Sequence, residues 1–72
     1  MKNLFTIRDH SAGTRLEGVY FGSDESNQKV LWYLQYKKII RDPSTYTCAG
    51  SIRKGFVRVY LGPKLIATIE AA

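Results

Sequence analysis

The chain lacks the features that usually stabilise a protein of this length. Its 72 residues include one cysteine, Cys48, so an internal disulfide is excluded. The single histidine, His10, and the absence of any CxxC or HxxxH pair leave too few ligands for a structural zinc site, which needs about four. We therefore expect no metal and no cofactor. Because core burial and ordering entropy nearly cancel in so short a chain, a homodimer is a realistic expectation.

Long apolar runs are also missing. No stretch reaches the roughly eighteen apolar residues of a membrane span, and the first ten residues, MKNLFTIRDH, do not resemble a signal peptide. A lone thiol suits a reducing compartment. The sequence therefore predicts a cytoplasmic protein without a membrane partner, and its 44% hydrophobic content predicts an ordered chain that forms a single domain over residues 1–72.

Acidic residues become scarce after residue 28. Residues 1–28 contain three basic and four acidic residues, which gives 3 − 4 = −1. Residues 29–64 contain eight basic residues against Asp42 alone, which gives 8 − 1 = +7, and Glu70 brings the total to +5. Such segregation of charge indicates attraction to a polyanion or to an acidic protein surface.

The first part of the chain has the pattern of a β-hairpin. Polar and apolar residues alternate from Leu4 to Asp9, which predicts a strand with Phe5 and Ile7 facing inward. The turn residues SAGT follow, and residues 15–21 then predict a second strand.

The middle of the chain favours a helix. Ser23 or Asp24 can cap its start and Asp42 before Pro43 marks its end, so the signals bracket roughly 18 residues. Helical spacing predicts a buried stripe of Trp32, Tyr36, Ile39 and Ile40. A strand is the alternative, since apolar residues also alternate here, and it would make the protein a small all-β barrel.

The last part of the chain predicts a second hairpin after a loop at residues 43–51. Val57, Val59 and Leu61 alternate before a Gly62-Pro63 turn, and the next arm places Leu65, Ala67 and Ile69 on one face. A C-terminal helix starting at Pro63 is the alternative. The resulting fold prediction is α+β, with the order ββαββ and a largely antiparallel four-stranded sheet with one helix packed across it.

No catalytic signature emerges from the residue types. Asp9, His10 and Ser11 are consecutive, whereas the members of a catalytic triad converge from separated positions. Nothing in the sequence brings Cys48 to His10. We therefore expect a binding protein that is not an enzyme and has no small-molecule substrate.

The basic block predicts a surface for nucleic acid or for an acidic partner. On a strand, Arg58 shares a face with Phe56 and Tyr60, an arrangement suited to phosphates and unpaired bases. The predicted contact residues are Lys37, Lys38, Arg41, Arg53, Lys54, Phe56, Arg58, Tyr60 and Lys64.

A second apolar stripe on the predicted helix, formed by Val30, Leu31 and Leu34, has no partner in a fold with one helix and one sheet. We expect it to form an apolar partner surface. The alternative function is therefore a protein inhibitor or adaptor, of the type encoded by phages and mobile elements, that docks on a nucleic-acid-handling complex. A homodimeric structural protein is a third hypothesis.

Overall fold

The computed structural model describes residues 3–72, which form an antiparallel sheet and one α-helix. The elements in chain order are β1 (Leu4–Asp9), β2 (Thr14–Tyr20), α1 (Asn27–Tyr36), a 3₁₀ turn (Pro43–Thr45), β3 (Thr47–Ser51), β4 (Phe56–Leu61) and β5 (Lys64–Ala71). The α+β prediction is confirmed, but the sheet has five strands where four were expected.

The strand order β2-β1-β5-β4-β3 places the C-terminal strand at the centre of the sheet. Each neighbouring pair is antiparallel. The hairpin β1–β2 is joined, through the pairing of β1 with β5, to two consecutive hairpins, β3–β4 and β4–β5, and β3 forms an edge of the sheet. Residues far apart in the sequence therefore become neighbours across the middle of the sheet.

One face of the sheet packs against α1 and forms the core. Phe5, Ile7, Val57, Val59 and Ile69 are buried on this inner face, together with residues of the helix. A series of edge-to-face aromatic contacts links sheet and helix, with ring centroids of Phe5 and Phe21 5.7 Å apart and those of Phe21 and Tyr33 5.5 Å apart. We call the opposite side of the sheet, which the helix does not cover, the outer face.

The helix is shorter than predicted because it is capped at Ser26 and at Lys37, inside the predicted limits. Its N-cap is Ser26, whose hydroxyl accepts the Lys29 N–H at 3.3 Å. At the other end, the Ile39 N–H donates to the Leu34 carbonyl and the Lys38 N–H to that of Gln35. These two bonds form a Schellman motif with Lys38 in the left-handed region at φ 63°, so the helix stops well before Pro43.

The buried and exposed faces of the helix are the reverse of those predicted. Val30, Leu31 and Leu34 are buried in the core, whereas Trp32 and Tyr36 are 53% and 76% exposed. The physical reason is that a buried indole N–H or phenol O–H needs a hydrogen-bond partner, which aliphatic side chains do not. Ile40 is buried and Ile39 is half-buried, as expected for part of the predicted stripe, but both follow the end of the helix.

The second half of the chain differs from the prediction at two points. Residues 47–51, expected to be loop, form β3, whose small side chains gave little sequence signal but which pairs along its length with β4. In β5, Val59 pairs with Ala67 and Tyr60 with Leu65, so Ile66 is an extra residue. This bulge buries Ile66 and leaves Leu65 exposed.

Candidate nucleic-acid interface

The outer face of β4 carries the three residues whose alternation suggested a binding surface. The inward Val57 and Val59 are fully buried, whereas Arg58 between them is exposed. Phe56 and Tyr60 are half-buried on the same side of the strand. The Arg58 guanidinium lies over the Phe56 ring, with its Cζ 4.9 Å from the ring centroid, so a cation and an aromatic surface are adjacent.

The strand register extends this surface across the sheet. Arg58 is opposite Thr68 on β5, Thr68 is opposite Arg8 on β1, and Arg8 is opposite Arg15 on β2. Directly opposed residues in an antiparallel sheet point to the same face. We call these four residues the arginine row. Because neighbouring strands lie about 4.8 Å apart, Arg15 and Arg58 are separated by roughly 14 Å.

Two carboxylates accompany the arginine row. Arg8 Nε lies 3.7 Å from Glu70 Oε1, and Arg15 Nε lies 2.9 Å from Glu17 Oε2. All four side chains are more than half exposed, so each pair contributes only about 0–1 kcal/mol to stability. Within residues 3–72, Arg58 has no carboxylate within the 4.0 Å that defines an ion pair.

His10 joins the outer face where β1 ends. Its Nε2 lies 2.7 Å from the Thr68 hydroxyl, and its backbone N–H donates to the Ile66 carbonyl at 2.9 Å. These contacts fix the imidazole beside the middle of the arginine row. A concave surface opens next to it, lined by Arg8, Asp9, His10, Gly13, Thr14 and Arg15.

The other predicted basic residues are not part of the arginine row. Three of them, Lys37, Lys38 and Arg41, follow the helix, which packs on the opposite side of the sheet. The Nζ atom of Lys37 lies 5.5 Å from the centroid of the Tyr36 ring. Lys54 lies in the turn between β3 and β4, and Lys64 begins β5. The structure therefore divides the basic block into separate groups.

Arg53 is engaged with an acid within the chain. Its guanidinium donates to Asp24 Oδ1 in an exposed ion pair. The hydrogen bond that Arg53 donates to Asp24, together with the negative charge of this carboxylate, raises the pKa of Arg53 further above its ordinary value. The pair links the turn before α1 to the turn after β3, which is a structural role that the sequence did not reveal.

The predicted apolar partner surface is absent from the exterior of the described chain. Val30 and Leu34 are fully buried and Leu31 is 7% exposed, since all three pack on the inner face of the sheet. The unpaired stripe inferred from the sequence is thus the core stripe. The helix instead presents Trp32 and Tyr36 to solvent.

Four outer-face residues were missed as site residues: Arg8, Arg15, His10 and Thr68. The alternation in β1 does place Arg8 on the side opposite Phe5 and Ile7. The sequence did not reveal that β1 pairs with β5, which places Arg8 on the same face as Arg58 with one strand between them.

The residues considered as catalytic candidates are Asp9, His10 and Ser11, which lie at one turn, and Cys48, which lies on a distant strand. Asp9 Oδ1 accepts the backbone N–H groups of Ser11 at 3.0 Å and Ala12 at 3.2 Å, so Asp9, His10 and Ser11 form a polar turn. Cys48 lies on the edge strand β3, separated from β1 by two strands. Burial raises the pKa of the Cys48 thiol, which disfavours the reactive thiolate.

In comparisons with known proteins, no family model, no curated protein and no solved structure matches this chain. Within residues 3–72, no three His, Cys, Asp or Glu side chains cluster in a way that would hold a metal ion. No helix in the described part of the chain has the length and apolar character needed to cross a bilayer.

Proposed function

We propose that the protein binds single-stranded nucleic acid on the outer face of its sheet. The observation that carries this proposal is the arginine row, which crosses four neighbouring strands and ends at an arginine lying over Phe56. The row supplies cations for backbone phosphates, and Phe56 with Tyr60 supplies aromatic surface for bases.

The shape of the surface favours single strands over duplex. A sheet presents a broad face, whereas the major groove of duplex DNA admits a helix or a two-stranded ribbon. Aromatic side chains on a sheet face stack on bases only where the bases are unpaired. Phe56 and Tyr60 are half-buried and therefore held in place by their surroundings, which reduces the entropy lost on binding.

The charge of the whole chain supports the same conclusion. The net charge of +5 attracts a polyanion over long range, and the salt dependence of that attraction is a measurable signature. Contacts of this kind are made mainly to phosphates, so we expect little sequence preference.

The direct test is charge reversal at one position of the surface. Arg58→Glu is expected to lower the affinity for a labelled oligo-dT strand by at least tenfold, since it removes a phosphate contact and adds a repulsion. The matched control is Arg41→Glu, which changes the net charge equally but lies after the helix. If both variants lose affinity equally, total charge rather than the outer face determines binding.

A second candidate function, docking on a protein partner, is favoured by the exposed helix surface. Trp32 and Tyr36 are one helical turn apart and mostly exposed, and tryptophan and tyrosine are the residue types enriched at interface hot spots. Comparing cross-linked partners in cells between the wild type and a Trp32→Ser, Tyr36→Ser variant tests this function. A specific partner lost only from the variant would support it, and identical sets of partners would exclude it.

A further inference from the structure

We propose that Arg8 and Arg15 form a subsite for one phosphate group. This inference rests on the proposed function, since the phosphate would belong to the backbone of the bound single strand. The subsite lies at the β1–β2 end of the arginine row, about 10 Å from Arg58 when measured from Arg8 across two strand spacings.

Arg8 and Arg15 bring two cations together at one end of the arginine row. Arg8 and Arg15 are directly opposed cross-strand partners, and like charges in that position repel. Each guanidinium has five N–H donors, whereas among residues 3–72 each has one carboxylate within 4.0 Å. The Arg8–Glu70 separation of 3.7 Å is too long for a hydrogen bond, so this carboxylate leaves donors of Arg8 available. A phosphate between the two arginines would accept hydrogen bonds from both guanidinium groups at once, whereas Glu70 pairs with Arg8 and Glu17 with Arg15.

The surface between these arginines is concave. The concavity described above contains both side chains together with His10 and Thr14. Gly13 closes the turn with a left-handed φ of 71° and has open space where a Cβ would stand, so the backbone leaves the concavity uncrowded. The Asp9 carboxylate, the acid in the lining, already accepts two backbone N–H groups of the turn.

The chemistry of the lining selects for phosphate. Guanidinium groups bind phosphate through two parallel N–H···O bonds, and two arginines at one site provide enough donors for several phosphate oxygens. The imidazole of His10, held beside the row by Thr68, offers a further polar contact. A strand with one phosphate here and a base stacked on Phe56 would cross the sheet along the arginine row.

The experiment follows the guanidinium Nε–Hε resonances by NMR during titrations with inorganic pyrophosphate and, separately, with oligo-dT. We expect saturable shifts at Arg8 and Arg15 in both titrations. Arg41 is the internal control, because it is an exposed arginine far along the chain from the concavity. Equal shifts at Arg41 and at the two subsite arginines would mean unspecific ion attraction and would overturn the inference.

A double variant, Arg8→Gln with Arg15→Gln, separates this inference from the proposed function. It removes two phosphate contacts, so the slope of log K against log salt for oligo-dT should become shallower by about 1.4. The fold should persist, because each of the two exposed ion pairs that the variant breaks contributes only about 0–1 kcal/mol. If this variant binds like the wild type while Arg58→Glu is impaired, the subsite is wrong and the proposed function stands.

The same experiments also recognise the opposite case, in which the proposed function fails and the subsite stands. If the wild type does not bind oligo-dT but pyrophosphate still shifts Arg8 and Arg15 selectively, the anion site is supported and the proposed function fails. If neither ligand produces selective shifts, the subsite is refuted.

Discussion

Arg58 lies over the ring of Phe56, with 4.9 Å between its Cζ and the ring centroid. The two residues are on one strand, separated by the buried Val57, so the alternation of β4 fixes them on the same face. A cation–π contact at an exposed site contributes about 0.5–1 kcal/mol. The guanidinium occupies a face of the ring, so a base that stacks there takes its place and leaves Arg58 free to contact a phosphate.

Replacing the aromatic ring tests whether it stacks on a base. Phe56→Leu keeps an apolar side chain and the charge of Arg58, yet it should lower the affinity for oligo-dT by roughly 5- to 150-fold, because one base–aromatic stack is worth about 1–3 kcal/mol. Fluorescence anisotropy measures the loss. Trp32→Leu, which removes an exposed aromatic on the helix, should bind like the wild type. A similar loss in both variants would contradict a specific stacking role for Phe56.

The orientation of the helix makes a prediction about stability. Leu34 is fully buried, so Leu34→Ala should lower the free energy of unfolding by about 2–5 kcal/mol. Trp32 is 53% exposed, and Trp32→Ala should cost clearly less despite removing a larger side chain. Urea denaturation of both variants measures the two values. A greater loss for Trp32→Ala would show that the helix packs through its other face.

Much of the fold could be predicted from residue patterns. The alternation of β1 correctly placed Phe5 and Ile7 in the core, and the pattern of β4 correctly buried Val57 and Val59. Local alternation is informative because one face of each strand is buried. The helix was also expected, but two apolar stripes competed for its inner face, and periodicity alone does not rank them.

The candidate site was only partly predictable. The face shared by Phe56, Arg58 and Tyr60 depends on one strand and follows from its sequence. The remainder of the arginine row depends on the order of strands in the sheet. Arg8 and Arg58 are far apart in the sequence, and nothing in either strand specifies that both flank β5.

Gly50 provides a second test of stability. A Cβ at this position would lie 2.5 Å from Phe56 Cε2 and 2.6 Å from the Phe56 carbonyl oxygen, and its φ is +87°. Gly50→Ala should therefore destabilise the fold by about 2–5 kcal/mol, from left-handed strain and overpacking together.

Gly55 is the matched control for that substitution. Its φ is +88°, but the nearest atom to an added Cβ is 3.7 Å away, so Gly55→Ala should cost only the conformational term of about 1–2 kcal/mol. Urea denaturation of the two variants gives the comparison. Equal losses would mean that Phe56 does not pack against the backbone of β3 as described.

Cys48 predicts a pH dependence. Burial raises the pKa of this thiol in the folded protein, so the unfolded chain releases its proton at lower pH. The contribution of this thiol to stability is fully present below the pKa that it has in the unfolded chain. It is lost as the pH rises through the higher pKa that it has in the folded protein. As the pH rises above the ordinary pKa of a thiol, the wild type should therefore lose unfolding free energy relative to Cys48→Ala.

Alkylation gives an independent check on this thiol. Iodoacetamide should modify Cys48 more slowly in the folded protein than in urea, because burial reduces both access and thiolate content. Equal rates in the two states would contradict the half-buried position of the side chain on β3.

The central claim, that the outer face binds single-stranded nucleic acid, is tested most directly by the salt dependence of wild-type binding. Labelled oligo-dT and a duplex of equal length are titrated by fluorescence anisotropy at several salt concentrations. The account predicts tighter binding to the single strand, with a slope of log K against log salt near −2, since three arginines contacting phosphates contribute about −0.7 each. Absence of binding at low salt, or stronger binding to the duplex, would contradict it.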